Sequence, residues 1–251
     1  MPDIYICDIV SNERLRETVY AITAECPGFA ACAGQFVGVK CGEERLLRRP
    51  ISICNADGGR FTLVFEALGD GTRWLSQRKT GQRLDILGPL GNGFHVPNGN
   101  IIVVGGGIGV PPLLFAARSA KGAVTAVLGF RDSSRIILKE EFESACKKVI
   151  IATDDGSSGF HGTVSPPLTE LLESGAYDSV IACGPLVMLK AAAEISKQHG
   201  VQCMVSLEER MACGVGACMV CACAAEKDGE RRMSRVCRDG PVFDAEEVMF
   251  I

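Results

Sequence analysis

Two patterns of apolar and polar residues divide the chain. From Ile4 to about Val96, short β-type runs (FVGVK, PISIC, RFTLVFEAL, RLDILGPL) recur at close intervals with Gly, Asp and Asn between them. That rhythm of strand and turn predicts an antiparallel barrel. Between about Pro97 and Ser206 each apolar run is followed by a helical segment: IIVVGGG by PPLLFAARSA, AVTAVLGF by KEEFESACKK, SVIACGP by LVMLKAAAEISKQHG. Alternation of this kind predicts a parallel sheet with crossover helices. From about Leu207 the chain turns Cys-rich and short-looped, and its final 45 residues are too few for an apolar core of their own. A metal staple would supply the missing stability. The expected organisation is a β-barrel over 1–96, an α/β domain over 97–206 and a small module over 207–251. Without a repeat, a low-complexity tract or a long linker, the three are expected to pack closely.

Composition narrows the class of partner. A formal charge of −4, from 26 Lys and Arg against 30 Asp and Glu, offers no basic footprint for nucleic acid and no polybasic membrane anchor. The first twenty residues have scattered charges in place of a basic segment followed by an apolar core, so they do not form a signal-peptide pattern. The most apolar stretch, IIVVGGGIGVPPLLFAA, is broken by Gly and Pro and fits strand, loop and helix better than a membrane span. A cytoplasmic location is expected. Thirteen cysteines are many for such a compartment, where disulfides are rare, and a crowded group of them points to metal or redox work.

That group is ERMACGVGACMVCAC. The Cys213-x4-Cys218-x2-Cys221 spacing is that of a plant-type [2Fe-2S] loop, and Cys237 in SRVCRDGPVF supplies a fourth thiolate. Gly214 and Gly216 permit the loop to turn its N–H groups inward. A closed four-Cys zinc site is the alternative, although zinc ligands usually come as two short-spaced knuckles. Cys223 is expected to face away from the ligand side. The remaining cysteines, among them Cys7, Cys26, Cys32, Cys41 and Cys146, have no ligand spacing and are expected to behave as small hydrophobes.

Three further motifs suit phosphates and nucleotides. Arg49-Pro50-Ile51-Ser52 ends a β-rich stretch, where an Arg can pair with a pyrophosphate and a Ser hydroxyl can meet a ring nitrogen. An ordinary surface Arg beside a turn has the same local signature. Leu68-Gly69-Asp70-Gly71-Thr72 is a Gly-rich turn opening a short helix, which suits a phosphate. Val104-Gly105-Gly106-Gly107-Ile108-Gly109 follows a strand and precedes a helix, as a dinucleotide-binding turn does, though many α/β folds carry such a turn without a nucleotide. After the second parallel strand, Arg131, Ser133, Ser134 and Arg135 can accept a 2′-phosphate or form a solvated turn. Asp154-Asp155-Gly156 is either a turn near the nucleotide or a plain polar loop. His95, His161 and His199 have no ligand spacing.

Together these motifs resemble the ferredoxin-reductase superfamily, and within it the electron-transfer subunits of class 1B dihydroorotate dehydrogenase. The resemblance runs the full length of the chain through RRPISI, GDGTRWLS, LGPLGNGF, GGGIGVPPL, CGPLVMLKA, SLEERMACGVGACMVCAC and VCRDGPVF. It implies FAD lined by Arg49, Pro50, Ile51 and Ser52, beside the strand Val64, Phe65 and Glu66, with Gly71 and Thr72 on its phosphate. It implies a nicotinamide nucleotide, NAD, bordered by Gly105, Gly106, Gly107 and Gly109 and by Cys183-Gly184-Pro185. It implies a [2Fe-2S] cluster on Cys213, Cys218, Cys221 and Cys237, and a partner: an FMN-containing catalytic subunit that oxidises dihydroorotate, in a heterotetramer of two of each chain. In the wider superfamily an aromatic residue often fills the slot of Ile51. No residue of this chain is assigned acid–base catalysis. The competing readings are the flavin subunit of a ferredoxin:NADP+ or sulfide oxidoreductase, and a redox-sensing module without turnover.

Overall fold

The computed structural model describes residues 2–227 and 229–250. Asp228, in the AEKDGERRMSR stretch between Cys221 and Cys237, lies outside the described residues. Six strands close into an antiparallel barrel: β1 (Asp3–Arg14), β2 (Val19–Glu25), β3 (Phe36–Val39), β4 (Arg49–Asp57), β5 (Arg60–Glu66) and, after the short helix α1 (Asp70–Ser76), β6 (Arg83–Leu90). Their order is β1-β2-β5-β4-β3-β6. A barrel wall has one face in the core, so burial alternates along a strand whose outer face meets solvent. In β6 it does: Leu84, Ile86 and Leu90 are buried while Arg83, Asp85 and Leu87 are not.

The rhythm changes after β6. β7 (Ile101–Gly106), α2 (Val110–Ser119), β8 (Val124–Phe130), α3 (Lys139–Ala145), β9 (Lys148–Thr153), β10 (Phe160–His161), α4 (Ser165–Glu173), β11 (Ser179–Cys183), α5 (Leu186–Gln198) and β12 (Gln202–Ser206) follow in turn. Every residue of β7 and β11 is buried, and all but one of β8, because these parallel strands are covered on both faces. Pro111 and Pro112 fall in the first turn of α2, where the absent N–H costs no hydrogen bond, so the helix starts directly behind the Gly-rich turn.

The last segment adds a ribbon, β13 (Ala222–Lys227) with β14 (Glu230–Arg235), and a short β15 (Val242–Asp244). β15 pairs antiparallel with β12, Val205 opposite Phe243, and so becomes the edge of the seven-stranded sheet β10-β9-β8-β7-β11-β12-β15. The C-terminal segment is therefore stitched into the second domain by backbone hydrogen bonds.

Two apolar clusters tie the parts together. One runs from the barrel interior (Ile53, Phe61) through Leu113 of α2 to Ile101 and Leu128 of the parallel sheet. The other covers the opposite sheet face and joins Val104, Val205 and Leu189 to Cys221, Val236, Cys237 and Phe243, with Phe36 and Leu90 of the barrel. Fully burying a side chain such as Leu113 contributes ~1.5–3 kcal/mol. The half-exposed ion pair Arg135–Glu66 (3.4 Å), which also crosses from domain to barrel, contributes ~0–1 kcal/mol. Apolar packing holds the domains together, and the ion pair adjusts only what lies at its edge.

Candidate functional site

A cleft of about 530 Å³ opens between the barrel and the carboxyl ends of the parallel strands. That is where ligands bind in open α/β sheets. Its walls include Glu66 from β5, Gly106 and Gly107 from the Gly-rich turn, Arg131, Arg135 and Met188. The turn lies directly against the Cys183-Gly184-Pro185 segment, since a Cβ on Gly106 would come within 2.8 Å of Pro185 Cδ. Gly107 has a left-handed φ of 53° and open space over it, so the backbone is bare to the cleft at that point. Gly105 faces inward toward Val110 and Leu113, and Gly109 abuts the Cys183 carbonyl. The two glycine motifs thus form one floor. The Cys183 thiol is buried and burial pushes its pKa up to about 12, so it contributes shape and not a thiolate.

The loop after β8 is more committed than its composition suggests. Asp132 accepts hydrogen bonds from the Ser134 N–H and hydroxyl, Ser133 N–H donates to Ser157 Oγ at 2.8 Å, and Arg135 Nη1 reaches Glu66. Thr18 Oγ1 also donates to Glu66 at 2.9 Å. Among the described residues Arg131 makes no ion pair. The three histidines stay apart, and His199 bonds the Ile195 carbonyl at the end of α5.

The barrel edge carries the other motif residues. Arg49 starts β4 and its guanidinium lies over the first turn of α1: a Cβ on Gly71 would stand 2.6 Å from Arg49 Nε. Arg49 and Gly71 are neighbours, as a shared phosphate would require. Thr72 Oγ1 folds back onto Gly69, accepting from its N–H at 3.2 Å and donating to its carbonyl at 3.1 Å. Pro50 is exposed, Ser52 is half-buried and Ile51 sits in the barrel core at 6% exposure. Val64 and Phe65 are buried, Phe65 stacked on Tyr20 with centroids 6.1 Å apart.

The four cysteines fall into two pairs. Cys213 and Cys218 are within hydrogen-bond reach of each other, as are Cys221 and Cys237. Ala217 N–H donates to Cys213 Sγ at 3.3 Å, and Cys237 N–H to Cys221 Sγ at 3.4 Å. Desolvation opposes ionisation of Cys213, but N–H groups of Val215, Cys218 and Ala217 and the Cys218 thiol outweigh it and bring its pKa down to about 6. Burial, then the neighbouring Cys221 thiol, push Cys237 up to about 12. Among the described residues no three His, Cys, Asp or Glu side chains gather around one point at metal-binding distance. Two thiol pairs ringed by inward N–H groups fit a [2Fe-2S] cluster, in which each iron takes two thiolates. Cys223, opposite Ser234 in the ribbon, lies outside the pairs; of the other unassigned cysteines Cys7, Cys26, Cys41, Cys54 and Cys203 are buried, Cys146 is partly so and Cys32 is exposed.

Some residues at the site carry no local sequence signal. Val19 and Met188 line the cleft, and Asn92 ties the barrel to the Cys237 turn by donating to the Arg238 and Asp239 carbonyls at 3.2 and 3.0 Å. Arg235 and Asp239 flank Cys237 as a bidentate pair. Only the three-dimensional register brings these together.

Comparison with known proteins agrees with this geometry. Residues 208–249 match the family described as the iron-sulfur cluster binding domain of dihydroorotate dehydrogenase B. A protein of Caldanaerobacter subterraneus subsp. tengcongensis named dihydroorotate dehydrogenase B (NAD(+)), electron transfer subunit, is 42% identical over 96% of this chain and 97% of its own. One of the same name from Desulforamulus reducens is 38% identical over the whole of both chains. Among solved structures, a chain of an NADH-dependent reduced ferredoxin-NADP oxidoreductase is 31% identical with a TM-score of 0.87, covering 97% of this chain and 90% of that one. A ferredoxin reductase of carbazole 1,9a-dioxygenase shares the fold at 19% identity and a TM-score of 0.68, over 80% of this chain and 67% of that one. With relatives this similar over nearly its full length, the chain belongs to the family of dihydroorotate dehydrogenase B electron-transfer subunits.

Proposed function

We propose that this chain accepts electrons from a catalytic subunit that oxidises dihydroorotate to orotate on FMN, and passes them to NAD+ in a cytoplasmic heterotetramer of two of each chain. A [2Fe-2S] cluster exchanges single electrons, nicotinamide a hydride, and FAD either, so the pair of bound groups converts one currency into the other. The observation that carries this reading is the continuity of the three sites. Phe36 and Leu90 of the barrel share one apolar cluster with Cys221 and Cys237, and Glu66 of the barrel faces the Gly-rich turn across one cleft.

The residues divide the work as follows. Arg49, held over the first turn of α1, neutralises the FAD diphosphate beside Gly71 and Thr72. Pro50, Ser52 and Glu66 form the adjoining wall for the ring, backed from the barrel core by Ile51, Val64 and Phe65. Gly106 and Gly107 border the nucleotide, Gly107 with its backbone bare, and Gly105, Gly109, Cys183 and Gly184 form the close-packed floor behind them. Cys213 with Cys218, and Cys221 with Cys237, each hold one iron. Arg135 is engaged by Glu66 and the Asp132 carboxylate stands in the ribose-reading loop, which favours a 2′-hydroxyl over a 2′-phosphate and hence NAD. No side chain needs to act as acid or base; positioning and exclusion of water suffice. Val215, Met219, Val220 and Met233 leave an exposed apolar face around the cysteine loop, where the catalytic subunit docks. On this reading the units are the flavin barrel over 1–96, the nucleotide domain over 97–206 and the cluster module over 207–251.

The 31% likeness to a chain of a ferredoxin-NADP oxidoreductase favours a second reading, a flavin subunit serving ferredoxin and NADP+. Copurification with the partner separates the two. An FMN-bearing partner and dihydroorotate-dependent NAD+ reduction support the first reading; a partner rich in further iron–sulfur clusters and reduction of NADP+ support the second.

A further inference from the structure

We infer that Arg235 is the positioning residue of the cluster: its guanidinium clamps the three-cysteine loop onto the Cys237 turn and, with Asp239, sets the charge that fixes the cluster's reduction potential. The inference rests on the ligand assignment proposed above and goes beyond it to residues that are not ligands.

One side chain holds both halves of the ligand set. Arg235 Nε and Nη2 donate to the two carboxylate oxygens of Asp239 at 3.0 and 3.2 Å, and the Arg235 N–H adds a bond to the same carboxylate at 2.8 Å. Those bonds close a tight turn around Cys237, in which Arg238 N–H and Asp239 N–H also donate to the Arg235 carbonyl at 3.0 and 2.8 Å. The remaining arm of the fork, Nη1, reaches back to the Gly216 carbonyl at 3.0 Å, inside the loop between Cys213 and Cys218. Gly216 in turn directs its own N–H at the Cys237 thiol. Its φ of 85° is left-handed, and a Cβ there would stand 2.5 Å from Arg238 Cδ, so only glycine lets the loop approach this closely. Only a planar guanidinium supplies two parallel donors to a carboxylate and a third to a carbonyl on another segment; an ammonium cannot. At the ribbon, the Arg235 backbone pairs with Ala222, the residue after Cys221, and the next N–H, that of Val236, donates to the Cys221 carbonyl at 3.0 Å, so the strand carrying Arg235 also runs beside the second thiol pair.

The charge has a second consequence. Reduction adds one negative charge to the cluster, which a nearby guanidinium stabilises and a nearby carboxylate opposes. The Arg235–Asp239 pair is neutral as a whole, and its members are 26% and 32% exposed, so solvent screens them only in part. Removing the cation makes the cluster harder to reduce, and removing the anion makes it easier.

The test is an EPR-monitored redox titration of the purified, FAD-loaded full chain bearing Arg235→Gln, Arg235→Lys or Asp239→Asn. Arg235→Gln is expected to lower the cluster midpoint potential and Asp239→Asn to raise it, each by up to about tenfold in the oxidised-to-reduced ratio at fixed potential, which is ~59 mV for a one-electron couple. Arg235→Lys keeps the charge and loses the fork, so its potential stays near that of the unmodified chain while iron is lost faster to a chelator. A purely structural role for the pair would move both potentials in the same direction or leave them unchanged, and either result overturns the inference. If Arg235→Gln assembles no cluster, Asp239→Asn alone decides it. An unmodified chain with no iron–sulfur signal at all would remove the ligand assignment and this inference with it, a failure distinct from unchanged potentials in variants that hold the cluster.

Discussion

The parallel sheet and the cysteine-rich module meet along β12 and β15, yet they hold their shape by opposite means. β7, β8 and β11 are buried on both faces, and Leu113 and Val103 are completely so. The ribbon β13–β14 has exposed ends and a Met233 that is 58% exposed, and among its residues only Ala225 and Ser234 are buried. Apolar burial explains the first region without help. The second depends on the Arg235–Asp239 clamp, the Asn92 contacts to the Cys237 turn and the bound cluster. The sheet is self-sufficient, whereas the fold of the module is completed by polar contacts and bound chemistry.

The largest expected effect is on the module itself. Cys221→Ser removes a buried thiol of the proposed ligand set, and hydrogen exchange should show loss of protection across 208–241 while β7, β8 and β9 stay protected. Equal protection in both regions would mean the module folds without its cluster. Packing comes next. Leu113→Ala should cost ~2–5 kcal/mol in denaturant unfolding, because it opens a cavity at the seam of barrel and sheet. Met233→Ala, on the exposed ribbon, should stay within ~0.5 kcal/mol. Comparable losses from the two would erase the contrast. A third, smaller effect belongs to the cleft. Gly107→Val imposes a branched side chain on a left-handed residue facing the cleft, and should lower kcat/KM for NADH with an artificial acceptor by about tenfold, ~1.4 kcal/mol. FAD content should not change, and an unaltered kcat/KM would exclude that turn from nucleotide binding. The smallest effect is one of pH. In cluster-free protein the Cys213 thiol, with its pKa lowered to about 6, is mostly thiolate above that pH. Its alkylation by iodoacetamide should rise through pH 6 and level off by pH 8, while Cys237, pushed up to about 12, stays slow. Mass spectrometry of the labelled peptides would expose identical rates if the loop's N–H groups do not favour the thiolate.

Much of this architecture is legible in the residues alone, and the exceptions have physical causes. RFTLVFEAL and RLDILGPL announce β5 and β6 by their alternation, and IIVVGGG with PPLLFAARSA announces β7, the turn and α2. The spacing of Cys213, Cys218 and Cys221 is legible because three thiols on one short loop are a local feature. β15 is not legible: three residues, VFD, become a strand only because β12 offers them an open edge. β10 has two residues and exists for the same reason. The commitment of Arg135 to Glu66 spans 69 positions and the clamp of Arg235 onto Gly216 spans 19, so no periodicity records either. A turn with two Arg and two Ser looks open to a phosphate, but Arg135 is already engaged by Glu66 and the Ser134 hydroxyl by Asp132.

In the proposed function the four cysteines complete an electron path from a dihydroorotate-oxidising partner to NAD+. The most direct measurement is dihydroorotate-dependent NAD+ reduction by the copurified complex, with FAD, iron and sulfide assayed on the same sample, for the unmodified chain and for Cys218→Ser. The account predicts iron and sulfide in equal amounts and coupled reduction in the unmodified complex, and in Cys218→Ser retained FAD, no cluster EPR signal and coupled activity at background. Full coupled activity in Cys218→Ser with its iron retained would contradict it.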